Sequence, residues 1–293
     1  MGRVTTSQTD TSHNAAVLPS GLDLSWVDDS VTVGDDLFTH VNGKWLDSHV
    51  IPEDRSVDGA FHHLRDRAEE NVRDIITGCA EADRPSGSDA QKIGDLYASF
   101  MDTDHIDALG LGPIAGELDA IAAIETTGQL TKRLGRLQRH GVPGLFGFYV
   151  DTDAKQSDRY LVHVTQSGLG LPDESYYRED KHADTRAAYL THVEQVLDLA
   201  GLDDAAGRAA TILDLETAIA ATHWDVVRRR DASLSYNLMT LAEFSGAATG
   251  YDVDAWFGGL GTSGEATFSE VVVGQPSFVS GAAELISARP LAE

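Results

Sequence analysis

The Gly141-Val142-Pro143-Gly144 break separates two kinds of hydrophobic pattern, and so limits the folds open to this chain. Ahead of it the apolar residues recur at helical spacing. Phe61, Leu64, Ala68, Val72, Ile75, Ile76 and Cys79 predict an amphipathic helix over residues 59–80. Ile93, Leu96, Tyr97 and Phe100 stripe the next helix, which Ser88 and Gln91 open as a capping box. Pro113 suits the first turn of a helix carrying Ile114, Leu118 and Ile121, and Leu130, Leu134 and Leu137 mark another that stops at Gly141. Behind the break, residues 145–150 and 159–166 are short, aromatic and β-branched, with turn residues between them. That pattern predicts a β-hairpin with a long loop. Helical spacing resumes with Tyr189, Val193, Val196 and Leu197, and again with Ile212, Leu215, Ile219 and Trp224. Thr240 and Glu243 form a second capping box, Val271 to Val273 a short strand, and Ser277 to Ala288 a final helix. The expected fold is mainly α: a large helical lobe with a small β-hairpin element.

Hydrophobic residues make up 42% of the 293, enough to fill a core, and no linker cleanly separates two domains. The net charge of -25 repels phosphates, which argues against nucleic acid and anionic membrane as partners. The acidic surface serves solubility or attracts basic peptides. Cys79 is the only cysteine, so no intrachain disulfide forms and a reducing compartment suits the chain. Its place on the helical stripe marks it as a core residue. The first residues lack the layout of a signal peptide, and no apolar run approaches the roughly 20 residues needed to span a bilayer. The expectation is a cytoplasmic protein with a disordered segment at residues 1–20.

Catalytic motifs are absent. Helical zinc sites need histidines four apart so that both rings leave one face, and no two of the eleven are so spaced. No His is followed by Glu as H-E-x-x-H requires, and no metal ligand is assigned. His62 and Asp66 are expected to form an exposed helix pair. Asp151 and Asp153 begin a calcium-loop pattern, but Gln156 and Val162 stand where its Gly and Glu belong. No nucleophile elbow, phosphate loop or dinucleotide fingerprint occurs. Arg228, Arg229 and Arg230 read as a charged helix end or as partners for carboxylates across an interface. Asn42-Gly43 is expected to be a tight turn, Ile51-Pro52 to end a first extended segment, and Trp45 to be a buried anchor. His223 and Trp224 are expected on an apolar helix surface.

Four blocks resemble the N-terminal half of the neprilysin and endothelin-converting-enzyme family of zinc metallopeptidases, and its cytosolic bacterial members in particular. They are DDLFTHVNGKWL with IPEDRSVDGAFHHLRD, SGLGLPDESYY, ATHWDVVRRRDASLSYNLMTLAEF, and VVVGQPSFVSGAAELI, in the family's order. The resemblance covers residues 21–293 and implies a region incomplete relative to the two-lobed family fold. Family members are roughly twice as long. Their second half carries H-E-x-x-H, a later Glu ligand, an N-A-Y/F strand and a late His and Arg. The resemblance therefore implies the N-terminal part of a zinc metalloendopeptidase acting on short peptides, whose zinc belongs to the full-length enzyme. Peptides and the missing catalytic lobe are its implied partners, and this chain alone is expected to be inactive. A non-catalytic peptide-binding module, or a truncated product, is the alternative.

The family's A-F-x-x-L-R segment contributes an aromatic and an arginine to the substrate pockets. Phe61 and Arg65 match them, and residues four apart on a helix project together. A ring can line a side-chain pocket while a guanidinium holds a carbonyl or carboxylate. Val57 stands where some mammalian members carry an arginine for the substrate C-terminus, which favours endopeptidase specificity.

Overall fold

A computed structural model describes residues 24–81 and 83–291, so the segment expected to be disordered lies outside the described residues. The chain forms two compact units, residues 1–104 and 105–293.

The first unit is built on three helices: α1 (Leu37–Ser48), α2 (Ala60–Ala80) and α3 (Asp89–Met101). The Asp36 carboxylate caps α1 by accepting from the Thr39 amide at 3.0 Å. The expected turn at Asn42-Gly43 is not formed, since both residues lie inside α1, and the segment before Ile51-Pro52 is helical through Ser48 rather than extended. One local hydrogen bond and one close approach by a residue distant in sequence accompany the helical conformation of this pair. Asn42 Nδ2 donates back to the Phe38 carbonyl at 3.0 Å, a bond that keeps its side chain on the helix. Gly43 is needed for contact rather than turning: a Cβ there would stand 2.7 Å from Cβ of Asp28. Trp45 is half-buried, stacked on His49 with centroids 4.3 Å apart.

Helix α2 matches its expected span, yet its stripe is not a core. Phe61, Leu64, Val72 and Ile75 are exposed, and Cys79 is half-buried. Helix α3 packs against α2 where Gly94 meets the Cys79 carbonyl, and a Cβ at Gly94 would lie 2.6 Å from that oxygen. The Ser88 hydroxyl caps α3, but Gln91 Oε1 accepts from Gly87 rather than from Ser88, so the box closes one residue early.

The second unit holds the core. Helix α4 (Thr127–Arg139) opens with a Thr126–Gln129 capping box and runs to the glycine break. The hairpin follows as β1 (Phe146–Thr152) and β2 (Tyr160–Gln166), antiparallel with Val150 opposite Val162. Next come α5 (Ala183–Leu199), α6 (Ala205–Ala220), β3 (Asn237–Thr240), α7 (Leu241–Ala247), α8 (Val253–Leu260), β4 (Glu270–Val273) and α9 (Pro276–Ala288). The hairpin is thus half of a four-stranded sheet of order β1-β2-β4-β3. Strand β4 runs parallel to β2, with Val162 opposite Val271, and β3 closes the edge antiparallel to β4.

Phe146 sits at the centre of the core. Its ring meets those of Phe244, Tyr251, Trp256 and Phe278 edge-on at 5.0–6.2 Å, a geometry that places ring edges against ring faces. Fully burying each such side chain contributes about 2–3 kcal/mol. Helices α4 and α8 cross closely because Gly135 and Gly259 carry no Cβ; one at either site would strike the facing backbone carbonyl. Trp256 Nε1 donates to Gln138 Oε1 at 2.6 Å, and Gln138 Nε2 donates to the Phe146 carbonyl at 2.7 Å, so the buried indole N–H has a partner. Helix α6 stops at Ala220, so His223 and Trp224 lie beyond it rather than on its surface. Trp224 is nevertheless buried, donating to Ser277 Oγ at 2.7 Å.

Candidate functional site

Phe61 and Arg65 occupy the first two turns of α2, and the helix starts where it does because Gly59 (φ +154) turns the chain into it. Phe61 is 87% exposed, which leaves its ring available rather than packed. The Arg65 side chain is 57% exposed and lies 3.7 Å from Asp66 and 3.5 Å from Glu69. Exposed pairs at such separations contribute at most about 1 kcal/mol, so a ligand carboxylate can displace them. Leu64 and Val57 are exposed as well.

The loop before α2 is held by charge. Arg55 donates to Asp66 at 2.9 Å and to Asp54 at 3.2 Å, and these carboxylates hold its guanidinium well above the ordinary range. The expected His62–Asp66 pair is therefore not formed: Asp66 is taken by Arg55, while His62 Nδ1 faces Asp58 at 4.0 Å. Asp58 is an inward anchor with a 2% exposed side chain. The Gly59 amide donates to it at 2.9 Å and His49 Nε2 lies 2.8 Å away; that amide bond, above all, lowers its pKa. Among the described residues, one group of His, Cys, Asp and Glu converges closely enough to hold a metal ion: His49, Asp58 and His63. Their separations in sequence follow no helical ligand rule, so the sequence carries no local signal of the convergence.

In the second unit, the rejected calcium loop closes on protein groups instead. The Asp153 carboxylate accepts from Tyr236 Oη at 2.7 Å, the Lys155 amide at 2.9 Å and Arg159 Nε at 2.9 Å. The Tyr236 hydroxyl, the Lys155 amide and the Arg159 guanidinium together hold its pKa at about 2. Arg159 continues to Glu270 at 2.7 Å, tying the hairpin loop to β4. A groove of about 480 Å³ lies on the sheet between His163, Tyr149, Tyr236, Arg229 and Arg230. Arg228 instead lies over the Trp224 ring at 3.7 Å. No helix among the described residues is long and apolar enough to cross a membrane.

The sequence profile of peptidase family M13 matches residues 33–293. Endothelin-converting enzyme-like 1 of Mus musculus is 29% identical over 233 residues, covering 74% of this chain and 30% of that protein. Endothelin-converting enzyme 1 of Cavia porcellus is 32% identical over 219 residues, covering 71% of this chain and 28% of that protein. The zinc metalloprotease Zmp1 of Mycobacterium tuberculosis, in complex with an inhibitor, superposes with a TM-score of 0.80 at 47% identity. That match covers 94% of this chain and 42% of Zmp1. PepO of Lactobacillus rhamnosis, at 20% identity and a TM-score of 0.63, shares the fold. The chain thus spans about 30% of the length of the endothelin-converting-enzyme relatives it matches.

Proposed function

This chain belongs to peptidase family M13, the family of neprilysin and the endothelin-converting enzymes, and we propose that it forms the N-terminal part of a zinc metalloendopeptidase for short peptides. Its own share of the work is to hold substrate. The observation that carries this reading is the pair on α2: an exposed ring at Phe61 and, one turn on, the loosely engaged guanidinium of Arg65. The ring offers an apolar surface to a substrate side chain while the guanidinium donates to a backbone carbonyl or a terminal carboxylate. Exposed Val57 adds apolar surface and no second cation.

In zinc peptidases the metal polarises the scissile carbonyl and lowers the pKa of bound water. The residues of this chain do not fit that role, because H-E-x-x-H does not occur in its sequence. No hydrolytic step is therefore assigned to it, and the purified chain is expected to bind peptides without cleaving them. Titration of a fluorescent short peptide should show saturable binding that Phe61→Ala and Arg65→Ala each weaken about tenfold, the size of a lost ~1.4 kcal/mol contact. Binding unchanged in the double variant would remove the assignment of these residues. Chelator-sensitive hydrolysis by the chain alone would overturn its expected inactivity.

A further inference from the structure

We propose that His49, Asp58 and His63 form a binding site for one divalent transition-metal ion, Zn²⁺ being the probe best matched to its donors. Two imidazoles and a carboxylate are the donor set that zinc and its neighbours prefer, and one ligand atom from each residue lies within 4.8 Å of the others. Ligand atoms around a tetrahedral zinc at about 2.0 Å stand roughly 3.3 Å apart, so a modest rotation of the exposed His63 ring completes the geometry.

The site is built rather than accidental in three respects. Asp58 is 2% exposed at its side chain and is aimed by the Gly59 amide, which takes Oδ1 and leaves Oδ2 directed at His49. His49 is the C-terminal cap of α1, its amide bonded to the Trp45 carbonyl at 2.8 Å, with its ring stacked on the Trp45 indole. His63 lies in the first turn of α2, its amide bonded to the Gly59 carbonyl at 3.1 Å, and its ring meets that of His49 edge-on at 5.9 Å. Backbone bonds thus fix the approach of two ligands and orient the third. The nearest competing cation is Arg55, 3.7 Å from Asp58 Oδ1, and its closer partners are Asp54 and Asp66.

On binding, the metal takes the place now held by the hydrogen between His49 Nε2 and Asp58 Oδ2, and that proton passes to solvent or to Nδ1 of the same ring. No oxidation state changes. The ion would clamp the end of α1 to the start of α2 and close the loop of residues 50–57 that leads to Phe61. This inference does not depend on the peptidase reading.

Isothermal titration of the chelator-stripped 293-residue chain with ZnCl₂ tests it. One equivalent should bind, and His63→Ala should weaken binding at least tenfold, the scale on which metal sites respond to far smaller losses. His63 is exposed, so this variant is expected to keep the wild-type circular dichroism. Cobalt substitution gives a second reading: Co²⁺ absorption bands of a nitrogen and oxygen site should appear in the wild type and be lost in His63→Ala and in Asp58→Asn. Hydrogen exchange over residues 50–57 should slow with Zn²⁺ in the wild type only. Failure to bind an equivalent of zinc, or zinc binding equal in wild type and His63→Ala, overturns the proposal.

Discussion

The two units use the same mainly helical vocabulary and close it differently. In residues 105–293, Phe146, Trp256, Phe244, Phe268 and Phe278 lie at 0–1% exposure, at the meeting of a sheet with α4, α7, α8 and α9. In the described part of residues 1–104 the buried residues are Gly43 and Gly94, places where one backbone lies against another element. The apolar stripe of α2 faces solvent from Phe61 to Ile75. An amphipathic helix gains most of its stability from covering its stripe, so equal periodicity does not mean equal stability. The second unit has two layers to enclose side chains; the first has three helices and a loop held by ion pairs.

The largest test of this contrast removes a ring from each side. Trp256→Ala should cost about 3–5 kcal/mol, since it leaves a cavity among five aromatic neighbours and strands Gln138 Oε1. Phe61→Ala should change stability by less than about 0.5 kcal/mol, because its ring is already in water. Denaturant unfolding of both variants would break the comparison if the two costs were similar. Hydrogen exchange sharpens it next. Amides of Val164, Val271 and Val273 should exchange only by global opening, while those of α2 exchange through cheaper local opening. Equal protection in both would show that α2 is covered in solution.

The smallest effect concerns Asp153, where charge rather than apolar area joins the hairpin to β3 and β4. Its folded pKa of about 2 lies below the ordinary 3.8, so its contribution is present above about pH 4 and is lost as pH falls toward 2. Asp153→Asn should therefore lower stability at neutral pH, with the gap from wild type narrowing below pH 4. A gap that is the same at pH 2 and pH 7 would show that the loop is held by shape alone.

Much of the fold was legible because its signals are local. The Thr240–Glu243 box forms as expected, with Glu243 Oε2 accepting from the Thr240 amide at 2.8 Å. The hairpin, β4 and the final helix stand within a few residues of their expected bounds. The errors fall where a distant partner decided. Asn42-Gly43 has turn residues but a helix's surroundings, since Asp28 needs the space beside Gly43. Strand β3 is too short to announce itself and exists because β4 offers it an edge. Phe61 and Arg65 were named through resemblance, and the structure adds their exposure.

The sequence by itself determined the span of α2, the capped start of α7, the hairpin, the acidic balance and the lack of H-E-x-x-H, because each is written in neighbouring residues. Tertiary structure alone decided that β2 would lie parallel to β4, that the α2 stripe would stay uncovered, and that His49, Asp58 and His63 would converge. The physical reason is one of range. Capping and periodicity act across a few residues, whereas pairing, burial and ligand convergence depend on which distant surfaces the closed chain brings together.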